Sequence, residues 1–417
     1  MAPWTHTYLS PQSERRLCCA SREPAQNFKQ YIDTAEGTNE YKPQTLDEWW
    51  NGEHIRNIRM QMLRNEVPDA CQVCDKRLLN QDVYRDYFNH LFSHKYEDVV
   101  AHTDWDGYTT MKPVSWDYRF SNLCNFKCRM CGPMLSSSWE TEARKQGKVE
   151  PWMEKPVKKA IETFQADVVE QEFSNAVEQH RIEEVYWVGG EPLMYEQHWR
   201  YMRRIVELGD GPNLYARYNT NLSRVDYKGV NLYKDILAHV RDWQVCASID
   251  GTGAVGEYIR TGLDWVQWEE YFAQGREYAG NDRRKMRIDF TLTLPGLWEI
   301  PFICDLAKKY DADILAKVTF AFTPDIAMSP LFLPRKHLDF VVNQLLLTTG
   351  VDNVTIRNML KSLLERPVFE EQYPDEYAKA RISGKWRMQA MDNLRGGMRF
   401  EDTLMDSKVK EWWNEIC

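Results

Sequence analysis

Three cysteines within eight residues constrain this chain more than any other feature. The stretch Ser121 to Pro133 reads S-N-L-C-N-F-K-C-R-M-C-G-P and sets Cys124, Cys128 and Cys131 at a C-x3-C-x2-C spacing. So many thiolates on one short segment indicate a metal site. Structural zinc takes four ligands in a tetrahedron. This segment supplies three, so its spacing favours an iron-sulfur cluster with one iron left open to a further ligand. Just upstream, Val114, Trp116, Tyr118 and Phe120 alternate with Ser115, Asp117 and Arg119, the period of a half-buried strand. The cysteines therefore fall on the loop that leaves a strand.

The rest of the chain bounds this reading. At 417 residues with 43% hydrophobic content it has room for two or three domains and a large core. Met1 to Ser10 carries no apolar signal segment, and no run approaches the roughly 18 apolar residues of a membrane span, so a soluble, cytoplasmic protein is expected. Ten cysteines without a secretion signal point to metal or redox chemistry rather than a disulfide framework. A net charge of -9 makes broad affinity for nucleic-acid phosphate unfavourable.

In chain order, residues 1–100 read as a small unit of their own with Cys18, Cys19, Cys71 and Cys74. It includes a helix from about Glu53 to Arg64, with Ile55, Ile58 and Met62 at helical spacing, and a second helix with Val83, Tyr87 and Leu91 on one face. A linker, 101–113, leads to a core at 114–322 in which strand and helix patterns alternate. Helices are expected over about Met134 to Arg144, Val157 to Gln179 and Trp298 to Lys309. Strands are expected at Glu184 to Val188, Asn213 to Tyr218, Trp243 to Ile249, Arg287 to Leu294 and Lys317 to Phe322. Beyond it, 323–417 shows only helical patterns, among them His337 to Leu347, Val354 to Leu364 and a tail ending in Trp412-Trp413. Cys246 and Cys304 read as buried structural thiols, and Cys417 as a residue without a role.

Several strand ends carry polar or glycine-rich turns, the places where parallel α/β sheets hold ligands. The first is Gly189-Gly190-Glu191-Pro192, which is either a strand-to-helix turn with Pro192 at the first helical position or a turn whose glycines let backbone approach a ligand. Asn219 and Ser248-Ile249-Asp250 close later strands, as turn or cap residues or as ligand contacts. Arg260 either meets an anion or caps a helix C-terminus closed by Gly262.

The cysteine triplet followed about sixty residues later by G-G-E-P resembles the radical S-adenosylmethionine (radical SAM) superfamily over roughly Val114 to Phe322. The resemblance implies an α/β fold, an open (β/α)6 partial TIM-like barrel. Cys124, Cys128 and Cys131 would hold a catalytic 4Fe-4S cluster whose fourth iron binds S-adenosylmethionine, and reductive cleavage would give a 5′-deoxyadenosyl radical that takes hydrogen from a substrate. It places Gly189, Gly190, Glu191, Asn219, Ser248 and Arg260 around the cofactor, with Asp250 there or facing substrate. Met130 stands where the family usually has an aromatic residue near adenine, and a soft apolar side chain can fill that space. An electron donor such as flavodoxin or ferredoxin is implied as partner.

The N-terminal unit, with P-W-T-H-T-Y-L-S-P at Pro3 to Pro11, Cys18-Cys19, W-W-N-G-E at Trp49 to Glu53 and Cys71/Cys74, looks like the SPASM/twitch domains that carry an auxiliary iron-sulfur cluster. Those domains normally follow the barrel, whereas here the order is reversed. Zinc is the alternative metal there, and either Cys18 or Cys19 is the ligand. Enzymes with such units often modify peptides or proteins, which makes a peptide or protein the expected substrate. The opposing reading is an iron-sulfur electron-transfer or binding protein that does not cleave S-adenosylmethionine. In the resembling domains a cysteine commonly stands three positions before the P-W proline, immediately ahead of Met1 here. Either the native start lies further upstream, the explanation favoured because Trp4 to Leu9 has little to anchor it, or the auxiliary cluster has an open iron that binds substrate directly.

Overall fold

The computed structural model of the protein describes residues 1–21, 32–33, 40–41, 43–75, 84–322 and 324–417. Val83, expected on the second N-terminal helix, lies outside them. The chain divides into two compact units, one of Met1–Cys124, Pro133–Tyr218 and Tyr227–Trp243, the other of Asn125–Gly132, Asn219–Asp226 and Gln244–Cys417.

The first unit is built on strands β1 (His6–Leu9), β2 (Arg15–Arg16), β3 (Ser115–Tyr118), β4 (Glu184–Trp187) and the start of β5 (Tyr215–Thr220). β5, β4, β3 and β1 are parallel neighbours in that order, and β2 closes the edge antiparallel to β1. Register decides what each face carries, because successive residues of a strand point to opposite sides. Leu9, Tyr118, Trp187 and Tyr218 share one face, as do Trp116 and Val185. Around Phe173 of the helix Glu170–Glu178 gather Trp116, Phe120, Trp187 and Tyr201, with ring centroids 5.0–5.7 Å away. The opposite face holds His6, Ser115 and Glu184 in one row and Tyr8, Asp117, Tyr186 and Arg217 in the next.

The alternation in β3 predicts a half-buried strand, yet all four of its residues are buried. The cause is that its polar face is covered as well. Glu184 accepts hydrogen bonds from Tyr87 (2.6 Å), Arg217 Nε (2.7 Å) and Ser115, whose hydroxyl also meets His6 Nδ1 at 2.7 Å. A buried carboxylate is tolerated only with such a full set of partners. The expectation that Trp4 to Leu9 lacks an anchor is likewise corrected, since β1 is paired on both sides. At the sheet edge Arg15, fully buried, donates to both oxygens of Glu172 and to the Tyr118 hydroxyl.

Helix Glu53–Leu63 falls where its spacing predicts, and the next runs Tyr84–Phe92. On the latter Phe88 and Phe92 are the buried pair, packed with Cys18, while Tyr87 and Leu91 flank them. The expected helix at 157–179 is a continuous helical segment that widens over Gln165–Val169, where the buried Gln165 side chain donates to Pro11 O at 2.6 Å.

The second unit carries β6 (Asp242–Ile249, from Gln244 on), β7 (Met286–Leu292) and β8 (Ile314–Val318), all parallel. β8 ends four residues before the sequence predicts, because Phe322 leaves the strand direction to pack on Phe369 and Tyr373. Each of β3 to β8 leads into helical structure, a pattern consistent with a partial barrel-type core. A helical C-terminal region follows, including Arg335–Leu347, Val354–Glu365, Pro374–Arg395 and Ser407–Glu415. The 22-residue helix among these is not apparent from periodicity, and glycine at its centre argues against it locally. Packing overrides that cost, because a Cβ at Gly384 would overlap the Ile326 side chain. Among the described residues no helix is long and apolar enough to cross a membrane.

Burial lowers the imidazole pKa of His6 and His198 to about 3. The unfolded chain protonates each near 6.5, so the folded state is fully favoured above that pH and loses ~1.4 kcal/mol per histidine per pH unit as pH falls toward 3. Chemical denaturation from pH 7 to 5 is expected to show this slope, and His198→Phe to remove about half of it. The variant also carries a pH-independent loss, because the Tyr218 hydroxyl loses His198 Nε2 at 3.1 Å.

Candidate functional site

β3 delivers the chain into the cysteine loop, and the first unit fixes the loop's start. Cys124 is buried. Its amide donates to Ser137 Oγ (3.1 Å), and its carbonyl accepts from the hydroxyls of Ser137 (3.2 Å) and Ser138 (2.8 Å). These serines open the helix Ser137–Lys145, whose N-cap is Ser136, so residues that satisfy a helix start also hold the first cysteine.

Against the same loop lies the glycine turn at the end of β4. Gly189 and Gly190 have φ of 81° and 53°, values that favour glycine. Space demands glycine independently. A Cβ at Gly190 would come within 2.6 Å of Leu123 O and 2.5 Å of Tyr195 Oη, and one at Gly189 within 2.6 Å of Arg119. The Glu191 amide then donates to Leu123 O at 2.7 Å, and the Tyr195 hydroxyl reaches Ser121 O (2.6 Å) and Gly189 O. Glu191 is itself buried, and its Oε1 accepts from Leu193 N at 3.0 Å as the N-cap of the turn Pro192–Met194.

The second unit holds Cys128, Met130 and Cys131, all half-buried, with Arg129 and Phe126 fully buried between and before them. Arg260 and Asp250 form a buried two-point ion pair, Nε to Oδ2 at 2.8 Å and Nη2 to Oδ1 at 3.0 Å, and Asp250 also accepts from Thr291 N. Burial alone would lower the Arg260 guanidinium pKa, and the Asp250 carboxylate more than offsets it, with a further push from Cys128. Burial raises the Cys131 thiol, and the Arg260 charge opposes that rise.

Asn219 and Ser248 converge on one residue that sequence reasoning missed. Asp289 Oδ2 accepts from Asn219 Nδ2 at 2.7 Å and from Ser248 Oγ at 3.3 Å, and both of its oxygens meet Lys317 Nζ at 3.0–3.1 Å. Asp289 is buried whereas the Lys317 side chain is half exposed. Its position one strand over from Ser248 in register was the available signal, in the alternation of Arg287, Asp289 and Thr291 along β7.

At the N-terminus the two adjacent cysteines part company. Burial pushes the Cys18 thiol well up, and Cys19, Cys74 and Cys71 act on it as nearby like charges. Burial pushes Cys19 up as well, and it also lies in the field of Asp117, Arg119 and Arg217 and is hydrogen-bonded to Tyr84. Cys71 and Cys74 are half-buried on the turn Asp69–Cys71 and the helix Gln72–Asp75.

None of the ten cysteines is in a disulfide; Cys246 and Cys304 are buried as expected, and Cys417 is exposed. Among the described residues no group of three or more His, Cys, Asp or Glu side chains is gathered to hold a metal ion. In donor chemistry the loop nevertheless fits an iron-sulfur cluster, with three soft thiols on one tethered segment. Beside the third of them, a Cβ at Gly132 would meet nothing within 4 Å.

Among solved structures, anSMEcpe with bound AdoMet is 16% identical over 56% of this chain and 58% of its own, with a TM-score of 0.36. SuiB of Streptococcus suis bound to S-adenosylmethionine is 14% identical over 71% of this chain and 60% of its own, TM-score 0.36. The same protein bound to precursor peptide SuiA is 12% identical over 78% and 69%, TM-score 0.35. The chain thus spans about three fifths of the length of the first two. No curated protein matches it. The model of the Radical SAM superfamily matches residues 118–250, a stretch that takes in the three loop cysteines, the glycine turn, Asn219, Ser248 and Asp250.

Proposed function

We propose that the protein is a radical SAM enzyme in which Cys124, Cys128 and Cys131 hold a 4Fe-4S cluster, and that its substrate is a peptide or protein. The observation that carries this reading is the docking of the glycine turn on the cysteine loop through Glu191 N and Leu123 O, where Gly190 leaves no room for a side chain. An electron carrier needs thiols but has no use for such a turn. When bound, the cluster supplies an electron and an open iron at which S-adenosylmethionine is reductively cleaved.

The chain's own residues bind and orient. Gly189 and Gly190 present backbone at the loop, and Met130 supplies apolar surface. Asp250 fixes the Arg260 guanidinium, a donor set suited to a carboxylate. Asp289 fixes the amide of Asn219 and the hydroxyl of Ser248, so these groups meet a ligand already oriented. In this reading residues 1–100 form the auxiliary unit, 101–113 a linker, 114–322 the core and 323–417 a helical region. Cys18, Cys71 and Cys74 hold an auxiliary cluster, and a flavodoxin or ferredoxin in the cytoplasm supplies the electron. The peptide substrate rests on the resemblance of the N-terminal unit to SPASM/twitch domains.

Anaerobic incubation of iron-loaded protein with dithionite and S-adenosylmethionine is expected to release 5′-deoxyadenosine. Intact clusters with no release would leave the electron-carrier reading in possession of the site.

A second outcome concerns the metal. Replacing Cys124, Cys128 and Cys131 together by Ala is expected to abolish cleavage while iron stays on the N-terminal unit, since the two sites use separate cysteines. Iron and sulfide analysis of the folded variant decides, and complete loss of iron speaks for zinc at the N-terminus.

A further inference from the structure

The second unit grips the cysteine loop from two sides. On one, the amides of Lys127 and Arg129 donate to the carbonyls of Thr261 and Ile259, both at 2.8 Å, so that 127–129 run as a short ladder against 259–261. Gly262 lets the ladder close, because a Cβ there would press on Asn125 O and the Phe126 ring at 3.0 Å. On the other side lies the end of the helix Pro374–Arg395. Arg395 Nη1 donates to Lys127 O at 2.8 Å and to Thr261 Oγ1 at 3.3 Å. One turn earlier, Asp392 Oδ1 lies 2.8 Å from Arg129 Nη1 and accepts from the Tyr258 hydroxyl at 3.0 Å, while Oδ2 accepts from Phe400 N at 2.8 Å. The Arg129 guanidinium stacks 3.7 Å over the Tyr258 ring, and its Nε donates to Tyr258 O at 2.9 Å.

Arg129 and Asp392 are both buried. A buried charge that loses its partner is strongly destabilised, so Arg129 can leave this pocket only with a large penalty. Arg129 directly follows Cys128 and stands two residues before Cys131. Where its side chain is fixed, the backbone carrying both thiols is fixed too.

We infer that the helix Pro374–Arg395 is a clamp that sets the position of Cys128 and Cys131, with Asp392 and Arg395 as positioning residues acting through Arg129 and Lys127. The inference rests on reading those cysteines as cluster ligands, and it gives the C-terminal helical region a part in the site.

The test compares full-length wild type with Asp392→Asn, Arg395→Met and the control Lys385→Met. Lys385 is on the same helix but holds the carbonyls of Trp413, Asn414 and Ile416. In the metal-free chain, iodoacetamide uptake by each thiol is followed by peptide mass spectrometry, with Cys124 as internal reference. Asp392→Asn and Arg395→Met are expected to raise labelling of Cys128 and Cys131 about tenfold over Cys124 by loosening the loop locally. Lys385→Met should lower the melting temperature and leave that ratio unchanged. A wild-type ratio in both clamp variants, or an equal rise in Lys385→Met, overturns the inference. In iron-loaded protein the g values of the reduced cluster should shift in the clamp variants and not in the control; identical spectra also overturn it. If wild type takes up no iron on the loop, the proposed function fails, and the labelling ratios still decide the clamp.

Discussion

The hydrogen bond from the amide of Glu191 to the carbonyl of Leu123, with the Tyr195 hydroxyl beside it, ties two strand ends of the first unit together. A parallel strand cannot turn back on its neighbour, so its terminal backbone groups must find partners in a loop. Here each loop serves the other. The glycine turn closes on the cysteine loop because no side chain stands between them, and the serines that begin the next helix take up what remains at Cys124. In the second unit the same need is met by a different device, a three-residue ladder and a buried arginine. The cysteine loop is thus held by backbone and side-chain partners along most of its length.

The strands of the first unit divide their two faces between different tasks. One face is aromatic and packs on helices around Phe173. The other face of the first unit carries the ionisable Glu184 and Arg217, and the second unit, taken by itself, pairs Asp289 with Lys317. Such groups remain inside because each is compensated: Glu184 by three donors, Asp289 by an amide, a hydroxyl and an ammonium.

Much of this was legible in the sequence. Six core strands fall close to where composition and period place them, since local alternation and turn residues are local signals. The cysteine triplet and G-G-E-P are legible for the same reason, as are Asn219, Ser248 and Asp250 at strand ends. What stayed hidden depends on pairing across the chain. Asp392 meets Tyr258 across 134 residues and Arg395 meets Lys127 across 268, and neither partner announces the other. The choice between Cys18 and Cys19 was closed to sequence reasoning because adjacent residues share every local property except the direction in which they point. The buried polar face of β3 was missed because its cover, Tyr87, comes from a helix that sequence reasoning assigned to a separate domain.

The parallel pairing of β1 with β3 bears on the birth of the chain. His6 touches Ser115 across 109 residues. At ~5–20 residues per second of synthesis, the first strand leaves the ribosome roughly 5–20 s before its neighbour exists. During that interval its backbone has only the short β2 arm to pair with, and an unsatisfied strand edge invites foreign strands. Nascent chains of this protein therefore pass through a stage in which the N-terminal segment needs shelter, and slow translation through residues 20–115 lengthens the exposure.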